Sequence, residues 1–197
     1  MTLTAESDTL AAIREAATRL FYEQGYHATT LRQIATDAGL KVGSLYYHIA
    51  GKEPLLLDLM CRVLDDLLAQ AREAAEAEDA AIDRLRAAIA LHIRFHAERA
   101  AEVFVGSTEL RSLSADGRRI VIAKREEYEA LVERLIEDAV ATGHAGVIDL
   151  RTHLYSLLAQ GTHVAGWYRP GRSLSVADLG HAYSELALRG LAVAGTV

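Results

Sequence analysis

Apolar residues recur every three or four positions along most of this chain. Leu10, Ile13, Ala17, Leu20 and Phe21 make one stripe, and Leu56, Met60, Val63, Leu64 and Leu67 make another. That is the period of a helix with one buried face. Ser7 or Asp8 can cap the first such helix, and Lys52-Glu53-Pro54 opens a long one, with proline tolerated in its first turn. Further helices are predicted at about 80 to 98, 101 to 113, 116 to 142, 148 to 168 and 175 to 194. Their breaks are signalled by Gly106, Asp116-Gly117, Gly143 to Gly146 and Pro170-Gly171. Two prolines, few aromatics and abundant Ala, Leu, Arg and Glu favour helix over strand, so the predicted class is all-α.

Between the first two stripes the pattern shortens. Thr30 can cap a helix while Gln33 reaches back to the cap nitrogen, and Ile34, Ala35 and Ala38 face inward at helical spacing. Gly39 supplies the permissive backbone where that helix stops. From Val42 to His48 the apolar anchor is Leu45, which leaves Ser44, Tyr46, Tyr47 and His48 to reach outward. Two short helices about a glycine turn, the second bearing polar groups, are the layout of a helix-turn-helix.

Phe21, Gly25, Tyr26, Thr29, Thr30, Ile34, Ala35, Ala38, Gly39, Gly43, Leu45, Tyr46, His48 and Lys52-Glu53 together resemble the DNA-binding end of the tetracycline-repressor (TetR) family, over the first third of the chain. The resemblance implies a three-helix DNA-binding domain over residues 1–54 and a helical effector-binding and dimerisation domain over 55–197. It implies DNA contacts from Thr30, Arg32, Lys41, Val42, Gly43, Ser44, Tyr46, Tyr47, His48 and Lys52. Lys41 stands where the family usually has a hydroxyl residue, and a lysine cannot cap by accepting a hydrogen bond; Ile49 stands where an aromatic is common. The expected partner is a palindromic operator in double-stranded DNA, read by a homodimer, since one reading helix alone gives weak selectivity.

Charge sharpens this picture. The 197 residues carry a formal net charge of -6, which argues against a general nucleic-acid binder, because non-specific affinity rests on neutralising phosphates. Positive charge must therefore act locally, through Arg32, Lys41 and Lys52. The acids Asp65, Asp66, Glu73, Glu76, Glu78 and Asp79 read as a solvated helix face. The lone Cys61 excludes an internal disulfide and reads as a packed small hydrophobe, and the opening residues lack the features of a secretion signal, so a cytoplasmic location is expected. The longest uncharged run, Thr152 to Tyr168, is interrupted by polar residues and is a poor membrane span.

Two late stripes mix small residues with large ones: Leu150, Leu154, Leu157, Gly161 and Ala165, then Val176, Leu179, Tyr183, Leu186 and Gly190. Such faces suit close helix packing, either within the chain or across a two-fold axis, and the family resemblance implies a dimer built from the final two helices. His92 and His96 lie one turn apart, but no third ligand at a recognisable spacing accompanies them, so no metal is expected. His92, Phe95, His96, Phe104, Tyr128, Leu157, His163 and Trp167 combine apolar walls with sparse polar groups, as small-molecule pockets do. Trp167-Tyr168-Arg169-Pro170-Gly171 and the helix after it are similar to TetR regulators of fatty-acid, aromatic-acid and sterol degradation that sense acyl-CoA thioesters. On that resemblance Arg169 and Arg172 would meet CoA phosphates. No cofactor, nucleophile-base set, dinucleotide, Walker or zinc-finger motif stands out. The expected function is thus a non-enzymatic regulator, most simply a repressor released by an effector. A sensor of another hydrophobic or aromatic molecule, and a DNA-bound structural protein without an effector, are the alternatives.

Overall fold

The computed structural model describes residues 2–143, 146–171 and 174–191, with side chains placed for residues 8–190 of these. Among them the elements are all helical: α1 (Thr2–Gln24), α2 (Leu31–Asp37), α3 (Val42–His48), α4 (Lys52–Glu76), α5 (Ala81–Glu98), α6 (Ala100–Thr108), a 3-10 turn (Glu109–Ser112), α7 (Ala115–Ala141), α8 (Leu150–Trp167) and α9 (Val176–Leu191). The expected helices are present, with local corrections. α1 already runs from Thr2, so Asp8 lies inside it rather than at its cap, and Ser7 has no described side chain. Gly106 sits within α6, and Asp116-Gly117 lies in the first turn of α7. A helix tolerates an isolated glycine at a modest cost, and Ser114 receives the Gly117 N–H at 3.3 Å, so neither glycine breaks the chain. Gly143 and Gly171 do mark ends, with φ of +75° and +80°.

The chain divides into two compact units. The first takes residues up to Val63 together with Ala101–Ile122; the second takes Leu64–Ala100 and the chain from Ala123. Residues 101–122 therefore group with the N-terminal helices, although sequence reasoning placed everything beyond residue 54 in one second domain.

In the first unit the apolar stripe of α1 is buried as expected, with Ile13, Ala17 and Phe21 at most 1% exposed. Ile34 and Ala35 of α2, Leu45 of α3 and Leu56 of α4 are wholly buried too. Arg14 of α1 makes a two-pronged pair with Asp58 of α4, at 2.7 and 3.2 Å. Buried apolar side chains of this size each stabilise the unit by about 1.5–3 kcal/mol, which is how two seven-residue helices, too short to be stable alone, are held.

In the second unit α5 packs on α8 and α9. Ile93, Ala97, Val164, Tyr168 and Leu179 form one core cluster, with Val176 and Tyr183 against it. Small residues set the approach: a Cβ at Gly180 would lie 2.9 Å from the Ala90 carbonyl oxygen, and one at Gly161 would lie 2.2 Å from Nε2 of His92. The late stripes thus serve packing within the chain, since Leu154, Leu157, Gly161 and Leu179 are buried against its own helices. Leu186, at 66% exposure, and Gly190 are stripe members that stay outside.

Candidate DNA-reading and sensing sites

Local sequence builds the reading element. The Thr30 hydroxyl accepts the Gln33 N–H at 3.2 Å, and the Gln33 side-chain oxygen accepts the Thr30 N–H at 2.8 Å, which completes the capping box that starts α2. After Ala38, Gly39 takes φ +70° and turns the chain toward α3. Lys41 precedes α3 and makes no side-chain cap, as its chemistry requires. With Leu45 wholly buried, α3 is rolled so that Ser44, Tyr46 and Tyr47 face water, the two tyrosines at 57% and 77% exposure. Thr30, Arg32, Lys41 and Gly43 are exposed as well, and Val42 and His48 are half-buried. The Tyr47 and His48 rings meet edge to face at 5.2 Å. Nine of the ten residues expected to touch DNA thus lie exposed or half-buried on or beside α2 and α3, with the Thr30 hydroxyl committed to the capping box.

Lys52 is the tenth and is placed differently. Its ammonium donates to the carbonyl oxygens of Tyr26 at 2.9 Å and Thr29 at 2.8 Å, and stands 4.3 Å from the centre of the Tyr26 ring. The turn it grips has other holders that sequence reasoning missed. Glu109 accepts the Tyr26 N–H at 3.4 Å, and Ser112 donates to Glu109 at 2.7 Å while its oxygen meets Nε2 of His27 at 3.2 Å. Glu53 accepts the Ser114 N–H at 2.7 Å, and its carboxyl is held below the usual range first by the Ser114 side chain and then by this backbone bond. The pairs Tyr26–Glu109, His27–Ser112 and Glu53–Ser114 are 61 to 85 residues apart in sequence, and no local pattern announces them.

In the second unit two histidines are buried. The Tyr128 hydroxyl lies 2.8 Å from Nδ1 of His92, whose Nε2 faces the Leu158 carbonyl oxygen at 3.2 Å. A carbonyl only accepts, so Nε2 carries the proton and Tyr128 donates to Nδ1. Nδ1 of His96 likewise donates to the His92 carbonyl at 2.8 Å, and the two imidazoles stand 4.1 Å apart. Burial pushes both histidines below their ordinary value, His92 further because His96 adds a like charge, and burial pushes the Tyr128 phenol up. The cluster is neutral and hydrogen-bonded.

Of the residues expected to line an effector pocket, His92, Tyr128 and Leu157 share one cavity with Ala88, Ile89, Val132 and Leu158. Its volume is about 10 Å³, room for one water and far below that of a ligand pocket. Phe95 and His96 are buried beside it on α5. Phe104 belongs to the first unit, edge to face with Tyr22 at 5.2 Å, so it is not brought to the cavity. His163 and Trp167 lie on the exposed side of α8, because Gly161 and Val164 occupy its inner face. Arg169 turns back on its own helix end and donates to the carbonyls of Tyr168 at 2.7 Å and Gly166 at 3.3 Å. Arg172 lies outside the described residues. Among the described residues no three His, Cys, Asp or Glu gather to hold a metal ion, and no helix is long and apolar enough to cross a membrane.

Known proteins are similar along nearly the whole chain. A family model described as bacterial regulatory proteins, tetR family, matches residues 13–59, and one described as tetracyclin repressor-like, C-terminal domain, matches residues 78–191. The HTH-type transcriptional repressor KstR2 of Rhodococcus jostii (strain RHA1) is 30% identical over 178 residues, 89% of this chain and 87% of that protein. A tetR-family regulatory protein from Rhodococcus RHA1 has a similar structure, with a TM-score of 0.86 at 30% identity over 93% of this chain and 97% of that one. The ketosteroid transcriptional regulator KstR2 of Mycobacterium tuberculosis follows at 0.84 and 25%, over 93% and 94%.

Proposed function

The chain belongs to the tetR family of bacterial regulatory proteins, and we propose that it is a homodimeric transcriptional repressor that leaves a palindromic operator when an effector, an acyl-CoA thioester, binds its second unit. The observation that carries the DNA-reading part is α3 itself: Leu45 anchors one side in the core, and Ser44, Tyr46 and Tyr47 stand exposed on the other. Such a helix offers donors and acceptors to base edges, with Arg32 and Lys41 beside it for phosphates. No covalent chemistry is needed, and relatives are named as transcriptional regulators.

The dimer uses the outward sides of α8 and α9, where Tyr155, Trp167 and Leu186 are 44%, 46% and 66% exposed, since the inward stripes are already spent. The effector part draws on the Trp167 to Gly171 phrase and on the relation to a ketosteroid regulator. The cavity around His92 is about 10 Å³, so an effector that enters there binds a more open arrangement of α5, α7 and α8 than the present one. It then shifts the equilibrium by its preference for that state. The small size of the cavity at His92 favours a second reading, a DNA-binding regulator without an effector.

Footprinting on DNA selected by the purified protein, repeated with matched CoA thioesters and free acids, tests both. Protection of a palindrome that thioesters alone abolish supports the proposal, because only thioesters bring phosphates to Arg169 and Arg172. Protection that no ligand changes supports the second reading, and no protection of any sequence rejects both. Sedimentation of the free protein as a monomer at micromolar concentration would reject the dimer.

A further inference from the structure

Lys52 is a charged residue at the start of α4, next to the reader, yet its ammonium is already engaged within the protein. Two hydrogen bonds of 2.8 and 2.9 Å run to the carbonyls of Thr29 and Tyr26, and the charge stands 4.3 Å above the Tyr26 ring. These carbonyls belong to the turn that ends one residue before α2's cap, because Thr30 is that cap. Tyr26 is held from both directions, its C=O by Lys52 and its N–H by Glu109 at 3.4 Å. Thr29 is wholly buried, with its hydroxyl donating to the Gly25 carbonyl at 2.8 Å, so the turn has little freedom once Lys52 is in place.

We propose that Lys52 is a positioning residue rather than a phosphate contact: it fixes the Tyr26–Thr29 turn, and through it the entry of α2, so that the reading helix meets base edges in register. The inference rests on the operator-binding reading and departs from the phosphate role that position alone would suggest. A phosphate would have to compete with two short bonds to carbonyls and with the ring face. A positioning lysine affects only binding that needs register, which is the sequence-specific part. A phosphate lysine affects specific and non-specific binding alike and contributes to the salt dependence.

Lys52→Met keeps the stem and removes the donors, and Lys52→Arg restores donors to the turn. Each is titrated by fluorescence anisotropy, well below its melting temperature and over a range of salt, against two duplexes of one length. One duplex is selected from a random library by the wild-type protein, and the other is an unselected sequence. The expected result for Lys52→Met is a roughly tenfold or larger loss on the selected duplex, with unchanged non-specific affinity and an unchanged slope of log K against log salt, and partial recovery in Lys52→Arg. A slope shallower by about 0.9 for each phosphate no longer neutralised, with both duplexes weakened equally, would make Lys52 a phosphate ligand and overturn the proposal. A lower melting temperature with unchanged affinity for both duplexes would make it merely structural and also overturn it. Should Lys52→Met fail to fold, Lys52→Gln, whose shorter amide reaches fewer carbonyls, carries the same readings. A wild-type protein that selects no sequence rejects the operator reading itself, an outcome distinct from any variant effect.

Discussion

Tyr47 and His48 on α3 and Tyr128 and His92 in the second unit are the same two residue types in opposite surroundings. The first pair is edge to face on the surface, with Tyr47 77% exposed. The second is nearly parallel and buried, the phenol and both imidazole nitrogens each with a partner. Water can satisfy a surface tyrosine, so α3 carries exposed polar groups at little cost to stability, as the proposed contact with DNA requires. Inside the protein each unpaired polar atom costs about 1–3 kcal/mol, so the interior pair is fully bonded and closely packed. The surface pair is left to solvent, and the interior pair is held by its neighbours.

The sharpest way to break this contrast is to crowd the interior pair. Gly161→Val puts a branched side chain where even a Cβ would lie 2.2 Å from the His92 ring. It should destabilise the fold by about 3 kcal/mol in chemical denaturation. A stability within about 1 kcal/mol of wild type, the size of an ordinary surface change, would mean that α5 and α8 are not held so closely. Next comes Tyr128→Phe, which leaves Nδ1 of His92 without its donor and should cost about 2 kcal/mol while operator affinity at low temperature is kept. Equal losses of stability and DNA affinity would erase the distinction between the regions.

Acid tests the same pair without mutation. His92 and His96 titrate in the folded state below their ordinary value of 6.5. The unfolded chain therefore binds more protons, and the stability they contribute is present above about pH 6.5 and falls as pH drops below it, by up to about 1.4 kcal/mol per pH unit for each group. Melting curves from about pH 7.5 to 5.5, the window that spans this titration, should show the decline, and His92→Gln should flatten it. A profile that is flat in wild type would show that the imidazoles are not kept neutral by burial. Glu53 and Asp149, held below the usual carboxylate range, lose their contribution only at lower pH and leave this window clear. The smallest expected effect is on the surface pair. Tyr47→Ala should weaken operator binding by about 1–2 kcal/mol with a melting temperature within a degree or so of wild type. A marked loss of stability instead would show that this tyrosine is part of the core after all.

The capping box at Thr30, the turn at Gly39 and the buried Leu45 were legible because each depends on neighbours within a few residues, and helical period then assigns the faces. The same period revealed the stripes on α8 and α9 but not what they meet. Their assignment to packing within the chain, with Gly161 against His92, needed α5 beside them. Phe104 and Trp167 looked like pocket walls by type, yet each is nearly half exposed and neither lines the His92 cavity.

From the sequence alone come the all-helical class, the reading helix with its outward residues and the family resemblance, all consequences of local backbone chemistry and short-range periodicity. Tertiary structure alone decided that Lys52 spends its charge on the turn at Tyr26 and Thr29, that Glu109 holds the same turn from residues far away, and that the two histidines are neutral in a closed interior. Hydrogen-bond partners 23 to 83 residues apart are chosen by how helices pack, and the charge of a histidine follows from whether that packing removes it from water.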